Sequence, residues 1–295
     1  MTKTSIKDRI LMKETMVSDG ATGTWLQEHG LIPGDSPELF NLSQPKLITQ
    51  MSKEYFDAGS DMVLTNTFGG NRFMLKKYNQ GGNVFDVNKA AAENARNGDD
   101  KDFSKYVIGS VGPTGEFLEP LGTVSREQMK DVFIEQIEGM KAGGVDAVLV
   151  ETMFALDEAQ VAVEAAKSLG VFVMATMTFT LGPRGFFTMT GVTPEQATKE
   201  LESTGVDVVG ANCGNGIDNM ILIAEMIRQS TDLPMLIHSN AGIPAIEKGR
   251  IIYQETPEYM KTRFQKLQEV GVDIIGGCCG TTPEHIREMS KLIRN

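Results

Sequence analysis

A nine-residue phrase occurs four times in this chain of 295 residues and limits the folds open to it more than any other feature. The copies occupy Gly59–Thr67, Gly144–Thr152, Gly205–Cys213 and Gly271–Cys279. Each copy begins Gly-x-Asp, continues with a short apolar run and follows an amphipathic segment. Glycine is common where a helix ends, and a short apolar run is typical of a strand buried in a parallel sheet. The phrase therefore predicts a repeated unit in which a helix is followed by a strand.

Three more apolar runs lie between the copies, at Tyr106–Gly112, Val171–Phe179 and Leu233–Asn240, and an opening strand is predicted before the first copy, near Met16–Asp19. With the four phrases they give eight strands that alternate with helices, which is the pattern of a (β/α)₈ TIM barrel. Such a barrel commonly needs roughly 250 residues, so the length is sufficient. The longest interruption, Gly69–Lys105, is predicted as a helix with loops rather than a domain boundary. We predict one α/β domain over residues 1–295.

Composition excludes several classes of partner. The formal net charge is −11 and the sequence pI is about 4.9, whereas nucleic acids and anionic membranes attract basic surfaces. No apolar run approaches the roughly 18 residues that a membrane helix needs. The first residues lack the apolar core of a signal peptide. An odd number of cysteines fits a reducing compartment better than a disulfide framework, so a cytoplasmic location is predicted.

In the predicted barrel the four phrases supply strands two, four, six and eight. Their last residues should lie at one height at the C-terminal mouth, where barrel enzymes build their active sites. These residues include Asn66, Glu151, Cys213 and the adjacent pair Cys278 and Cys279. Cys213 and Cys279 match in register, so we expect Cys279 to be a ligand. Cys278 would point the other way unless the strand bulges or ends there.

Three cysteines at strand ends predict a Zn²⁺ site with three thiolate ligands and one open position. Buried cysteines often act only as small hydrophobic residues, but a shared position at the mouth argues against that here. The glycines around Cys278 and Cys279 could also cradle a phosphate after strand eight. A phosphate cradle uses backbone N–H groups and gives no reason for two cysteines.

Other candidates at the mouth each have a second interpretation. The turn from Asp19 to Thr24 could offer backbone N–H groups to a carboxylate, or could be a plain turn. Glu151 could bind a substrate ammonium group or form a salt bridge at the rim. Asn240 could fill the fourth zinc position or cap a loop. His238, two residues earlier on the same face, is predicted to be a hydrogen-bonded structural residue.

Several motifs carry a resemblance to a known family. They are Asp19-Gly-Ala-Thr-Gly-Thr24, Leu64-Thr-Asn-Thr-Phe-Gly69, Gly109-Ser-Val-Gly-Pro-Thr-Gly115, Glu151-Thr152, Asn212-Cys213, Asn240-Ala-Gly242 and Gly276-Gly-Cys-Cys-Gly-Thr-Thr-Pro-Glu284. On these residues the chain resembles, nearly end to end, the homocysteine-binding domain of the homocysteine S-methyltransferase family. The double-cysteine segment is highly specific. Thr65–Phe68 and the Gly-Pro-Thr-Gly loop resemble the cobalamin-dependent methionine synthase branch more than the betaine or S-methylmethionine branches.

The resemblance implies a (β/α)₈ barrel with zinc on Cys213, Cys278 and Cys279, and with Asn240 as a zinc ligand in the substrate-free state. It also implies that the amino-acid end of homocysteine is held by Glu151 and the Asp19 segment. The substrate-binding candidates are Asp19, Gly20, Ala21, Thr22, Asn66 and Glu151. No catalytic residue beyond the zinc site is expected.

The expected activity is therefore zinc-dependent methylation of homocysteine to methionine. Two departures from the methionine synthase branch bear on the donor. Gly-Asn-Gly follows Cys213 in place of Ser-Leu-Gly, and the folate- and cobalamin-binding domains of that branch have no counterpart in the sequence. We expect methylcobalamin to be supplied in trans by a separate corrinoid protein. The alternatives are a betaine or S-methylmethionine donor and, in another class, a non-catalytic zinc-held thiol-binding or sensor protein.

Overall fold

Eight parallel strands form a nearly closed barrel in the computed structural model, which describes residues 3–99, 104–247 and 250–294. The strands are β1 (Met16–Val17), β2 (Met62–Leu64), β3 (Tyr106–Val111), β4 (Ala147–Met153), β5 (Val173–Met177), β6 (Val208–Asn212), β7 (Met235–Ser239) and β8 (Ile274–Gly277). Their order in the sheet is β1-β8-β7-β6-β5-β4-β3-β2, so neighbours in the chain are neighbours in space. The predicted (β/α)₈ fold is confirmed, with the four phrases on the even-numbered strands.

Helices surround the barrel and connect the strands. They are α1 (Ile6–Leu11), α2 (Thr22–Glu28), α3 (Phe40–Ser43), α4 (Pro45–Ala58), α5 (Arg72–Lys76), α6 (Val84–Arg96), α7 (Arg126–Ala142), α8 (Leu156–Ser168), α9 (Pro194–Ser203), α10 (Ile217–Arg228), α11 (Pro257–Val270) and α12 (Pro283–Ile293). The segment predicted as a helix with loops, 69–105, contains α5 and α6, and its residues 100–103 lie outside the described ranges. Two short antiparallel strand pairs lie in the loops after β5 and β7. The first pairs 180–182 with 185–187, and the second pairs 245–247 with 250–252.

The core has an inner and an outer part because side chains alternate along each strand. An inner cluster fills the barrel with every second strand residue, such as Leu149, Val208 and Ile274, and α1 packs Ile6 and Ile10 against it. A larger outer cluster packs the other strand residues against the helices. In β6 and β8 the residues with even sequence numbers, such as Val208 and Ile274, therefore face the barrel interior.

The aspartate of the repeated phrase fastens each even-numbered strand to the strand before it. The pairs, written as carboxylate acceptor and backbone N–H donor, are Asp61 with Val17, Asp146 with Val107, Asp207 with Val173, and Asp273 with Met235, at 2.7–2.9 Å. In each pair the aspartate N–H also donates to the carbonyl oxygen of the same partner. The repeat in the sequence thus corresponds to a repeated clamp at the N-terminal end of the barrel.

The barrel closes between β1 and β2. The Asp61 clamp joins these strands at one end, and the Asp19 carboxylate accepts a hydrogen bond from the Leu64 N–H at 2.7 Å at the other. Asp19, a predicted substrate-binding residue, therefore also holds the seam of the barrel.

Candidate active site

The three cysteines converge at the C-terminal mouth. Cys213 directly follows β6, and Cys278 and Cys279 directly follow β8. Their sulfur atoms all lie within 4.8 Å of one another, and all three residues are half-buried. The spacing is that of thiolates able to share one metal ion, so the predicted cluster is present.

The backbone brings the cysteines together in a different way from the one we predicted. Asn212 and Cys278 continue the inward-facing series of their strands, and the Asn212 amide nitrogen lies 4.0 Å from the Cys278 sulfur. Cys213 leaves the regular strand at φ +59°, and Cys279 lies in a turn before Gly280 at φ +81°. The prediction that Cys278 needs the distorted backbone is wrong. The regular alternation of β8 directs Cys278 into the site, whereas the turns after β6 and β8 bring Cys213 and Cys279 to it.

The end of β7 lies between the two cysteine-bearing strands. Cys213 donates its N–H to the His238 carbonyl at 3.0 Å, and Cys278 donates to the Ser239 carbonyl at 2.7 Å. Within the described ranges, His238 Nε2, Ser239 Oγ and Asn240 Oδ1 are buried atoms without a hydrogen-bond partner. The hydrogen bonding predicted for His238 is therefore not seen at Nε2, and burial lowers the pKa of its imidazole to about 3.

The donor set fits zinc. Buried polar atoms almost always have a partner. The unpartnered Asn240 oxygen belongs to a residue that is 4% exposed and precedes Ala241, whose N–H donates to the Cys279 carbonyl at 2.9 Å, so Asn240 could supply a further ligand. Contacts with Cys213 and Cys278 lower the pKa of the Cys279 thiol, whereas contacts with Cys213 and Cys279 raise the pKa of the Cys278 thiol. A bound cation would stabilise the thiolate form of all three.

Glu151 lies beside the cysteines at a bulge in β4. The register of β4 shifts between Val150 and Met153, and Thr152 has φ +59°, a strained value for a β-branched residue. The Glu151 carboxylate accepts hydrogen bonds from the Ser110 hydroxyl and, at 3.2 Å, from the Asn212 amide. It is 8% exposed, and burial raises its pKa to about 7.

Asn212 connects Glu151 to the cysteines. Its oxygen accepts from the Thr152 N–H and the Thr176 hydroxyl, both at 2.7 Å, and its nitrogen donates to the Thr152 hydroxyl at 2.7 Å. These bonds hold the strained Thr152 backbone and so fix the direction of Glu151. The repeated phrase predicts that Asn212 lies at the mouth, but no role was predicted for it or for Ser110.

The Asp19 segment contacts the double-cysteine loop. The Gly277 N–H donates to the Asp19 carbonyl at 2.8 Å, and Ala21 N–H donates to the Thr281 carbonyl at 3.3 Å. A side chain at Gly20 would come within 2.8 Å of Thr281 Oγ1, so this close approach requires glycine. Asp19 is 2% exposed, and burial raises its pKa to about 7.

The same segment continues into α2, which begins at Thr22 with Ala21 as its N-cap and no side-chain cap. First-turn N–H groups without a side-chain cap are suited to a carboxylate.

Asn66, the remaining predicted substrate-binding residue, is engaged elsewhere. Its amide nitrogen donates to the Pro37 carbonyl at 2.7 Å and to the Asn41 side chain at 3.1 Å. These bonds attach the loop before α3 to the end of β2. A direct contact of Asn66 with substrate stays a prediction.

Tyr253 is a site residue that sequence reasoning missed. It directly follows Ile252, the last residue of the strand Arg250–Ile252. Its ring packs on Gly280, next to Cys279, where an added Cβ would come within 2.1 Å of the ring. Burial raises the pKa of Tyr253 above its ordinary value. Because Tyr253 and Gly280 lie far apart in the sequence, only the folded chain reveals the contact.

Comparison with known proteins assigns the chain to a family. The family model described as homocysteine S-methyltransferase matches residues 16–293. The chain belongs to the homocysteine S-methyltransferase family. The methionine synthase of Mycobacterium leprae is 33% identical over 302 aligned residues, and that of Mycobacterium tuberculosis is 32% identical over 309. The alignments cover 96% and 97% of this chain but 24% and 25% of those proteins, so the chain spans about a quarter of the length of these relatives.

Solved structures of the Escherichia coli homocysteine methyltransferase MmuM share the fold. The oxidised form superposes with a TM-score of 0.80 and the metallated form with 0.78, both at 21% identity. Each match covers 97% of this chain and 99% of the MmuM chain. None of the helices in the described ranges is long and apolar enough to cross a membrane.

Proposed function

We propose that this chain methylates homocysteine to methionine at the three-cysteine site. The observation that carries the proposal is the convergence of three sulfur atoms within 4.8 Å of one another, beside a buried carboxylate joined to them through Asn212. A metal site that served only to hold the fold together would have no use for that carboxylate. Membership of the homocysteine S-methyltransferase family supports the same conclusion.

Cys213, Cys278 and Cys279 would hold zinc, and Asn240 would complete the set when substrate is absent. Zinc bound there would favour the thiolate form of homocysteine, which is the form that attacks a methyl carbon. No separate general base is proposed, because zinc binding would itself favour loss of the thiol proton.

The amino-acid end of the substrate would lie between Glu151 and α2. The Glu151 carboxylate is already oriented by Ser110 and Asn212, so it can accept the substrate ammonium group without rearranging. The N–H groups at the start of α2 would bind the substrate carboxylate, and the Asp19–Thr22 segment would position them. Asp19 would act through the seam that it closes between β1 and β2.

We propose that the methyl group arrives on a separate corrinoid protein. Exposed apolar side chains, here called the apolar rim, lie in the loops after β2, β3, β5 and β7. They are Phe68, Phe117, Leu121, Leu181, Met189, Ile243, Ile246 and Ile251, and they are 38–80% exposed. Exposed apolar surface of this kind favours a protein partner over a small polar donor. The identity to methionine synthases supports the same choice, and the free thiols support a cytoplasmic location.

A donor assay tests the proposal. Zinc-loaded chain is incubated with homocysteine and, in separate reactions, with free methylcobalamin, a methyl-corrinoid protein, betaine or S-methylmethionine, and methionine is measured. We expect methionine with the corrinoid donors, fastest with the protein-bound one. If methionine formed only with S-methylmethionine or betaine, the proposal of a corrinoid donor would be overturned. No methionine with any of these donors would favour the thiol-binding or sensor alternative.

A further inference from the structure

One buried tyrosine contacts two of the segments that form the mouth. Tyr55 lies on α4 and is 1% exposed. Its hydroxyl donates a hydrogen bond to the Ala21 carbonyl at 2.9 Å, and the Thr281 carbonyl lies 3.4 Å from the same hydroxyl oxygen. A hydroxyl has one proton to donate, so the nearer Ala21 carbonyl is the main acceptor. The ring of Tyr55 fills space in the core, whereas its hydroxyl links α4 to the mouth.

The two carbonyls belong to segments with different tasks in the proposed site. Ala21 is the N-cap of α2, whose first N–H groups would bind the substrate carboxylate. Thr281 follows the double cysteine, and its hydroxyl donates to the Cys278 carbonyl at 2.7 Å. The Ala21 N–H also donates to the Thr281 carbonyl at 3.3 Å. Tyr55 therefore contacts the point where the substrate-binding segment meets the cysteine turn.

The packing at this point is close. A Cβ added at Gly20 would come within 2.9 Å of the Tyr55 ring and within 2.8 Å of Thr281 Oγ1. Carbon atoms in ordinary contact lie about 3.5–4.0 Å apart, so nothing larger than glycine fits between the two side chains. Tyr55 thus holds the substrate-binding segment by contact with its ring as well as by the hydrogen bond from its hydroxyl.

The hydrogen bond to Ala21 also directs a donor at the start of α2. The Ala21 carbonyl and the Thr22 N–H belong to one planar trans peptide unit, in which the C=O and the N–H point in opposite directions. Because the Ala21 oxygen is held toward Tyr55, the Thr22 N–H points away from the buried hydroxyl. As the first N–H group of the helix, it has no acceptor within α2. The direction of this donor is therefore set by a buried residue that the substrate would not touch.

We propose that Tyr55 is a positioning residue, which holds the start of α2 relative to the cysteine turn so that both ends of homocysteine are bound at once. The inference rests on the proposed function, since it assumes that α2 binds the substrate carboxylate and that the cysteine site binds the substrate sulfur. A ligand that uses both ends depends on how the two are aligned, whereas a ligand that uses only the sulfur does not. Loss of the Tyr55 hydroxyl should therefore affect the two kinds of ligand differently.

Binding of two thiols to the zinc-loaded chain tests this without methyl transfer. Homocysteine has both ends, whereas 1-propanethiol has the same carbon–sulfur arm without the ammonium and carboxylate groups. Isothermal titration calorimetry gives the Kd of each thiol for wild type and for Tyr55→Phe, which keeps the ring beside Gly20. Tyr106→Phe is the matched control, because its hydroxyl also donates to a carbonyl at 2.9 Å, that of Thr4, at the N-terminal end of β3.

In Tyr55→Phe we expect the Kd for homocysteine to rise about fivefold, the effect of losing one hydrogen bond between uncharged groups. The Kd for 1-propanethiol and the zinc content should match wild type, and Tyr106→Phe should change neither Kd. An unchanged Kd for homocysteine in Tyr55→Phe would overturn the proposal. So would an equal rise for both thiols, because that would mean a loosened metal site. Wild type that bound homocysteine no tighter than 1-propanethiol would overturn it as well, since there would be no second end to align.

The two proposals fail separately. If no donor yields methionine but Tyr55→Phe weakens the binding of homocysteine alone, the proposed function fails and the positioning role of Tyr55 is supported. If methionine forms but Tyr55→Phe binds homocysteine as wild type does, only the present inference fails.

Discussion

At the scale of single residues, the site depends on two buried carboxylates with different tasks. Glu151 faces the cysteine cluster and is held by Ser110 and Asn212, whereas Asp19 accepts from a main-chain N–H across the barrel seam. Burial raises the pKa of each to about 7. A buried carboxylate costs free energy unless it is paired, so one that keeps only partial pairing at a mouth is suited to a cationic group of a ligand.

Replacing Glu151 with alanine should weaken homocysteine binding and leave zinc in place. Loss of a hydrogen bond between charged groups costs about 1.5–3 kcal/mol, which corresponds to a rise of about 10- to 100-fold in KM for homocysteine. The measurement is KM together with zinc content by atomic absorption. Ser110→Ala is the control, because it removes an orienting bond but keeps the carboxylate, and its effect should be smaller. Loss of zinc in Glu151→Ala would instead indicate a structural role.

Asp19 should make stability depend on pH. Its pKa rises from 3.8 to about 7 on burial, so between about pH 4 and pH 7 the folded chain retains a proton that the unfolded chain has released. The free energy of unfolding should therefore fall as pH rises through this window, by on the order of 4 kcal/mol from this group. Because residue 19 cannot titrate in Asp19→Asn, the free energy of unfolding by urea should decline less between pH 5 and pH 8 in this variant than in wild type. Parallel declines in the two proteins would contradict this.

At the scale of elements, each even-numbered strand is fixed at both ends by side chains from the repeated phrase. An aspartate fastens its N-terminal end to the preceding strand. Polar residues or cysteines at its C-terminal end form the mouth. The distorted backbone is confined to that second end, at Thr152 and Cys213, both with φ +59°. Strain of this kind persists only where surrounding contacts hold it. At Thr152 these contacts come from the Asn212 side chain, and at Cys213 the N–H donates to the His238 carbonyl.

The clamp between β7 and β8 offers a test of this scheme. Asp273→Ala removes the acceptor 2.8 Å from the Met235 N–H and leaves that donor without its partner. We expect a loss of about 1–3 kcal/mol in the free energy of unfolding by urea. Asp273→Asn keeps an acceptor oxygen and removes the charge, so it should recover most of the loss. If the two variants were equally destabilised, charge rather than the hydrogen bond would be responsible.

At the scale of the whole molecule, the apolar core lies apart from the cysteines. Its inner and outer clusters contain none of the three, which lie beyond the ends of β6 and β8. Zinc binding should therefore add stability to a chain that is already folded. This differs from small zinc domains, which unfold without their metal.

Removal of zinc by a chelator should lower the melting temperature by on the order of 10 °C and leave the far-ultraviolet circular dichroism unchanged. Differential scanning calorimetry with and without chelator measures the shift. Cys213→Ala, which lacks one ligand, should show a much smaller response. Loss of secondary structure on chelation would mean that the metal holds the fold together.

The sequence by itself determined the eightfold alternation, the place of the phrases on even strands and the three cysteines that could share a metal ion. These features are local or periodic: an apolar run after glycine predicts a strand, and strand ends in a barrel share one face. It also placed Glu151 at the mouth of the barrel. The family match at residues 16–293 confirmed the resemblance drawn from the motifs.

Only the tertiary structure decided which cysteine follows the regular alternation of its strand and which distant residues contact the site. Strand alternation places Cys278 inward, whereas positive-φ backbone at Cys213 and a turn at Cys279 bring the other two to it. Asn212 reaches Cys278 from the end of β6, and the Tyr253 ring reaches Gly280 from the loop after β7. Hydrogen bonds between distant segments and departures from regular backbone leave no periodic trace in a sequence, because they form only when the barrel closes.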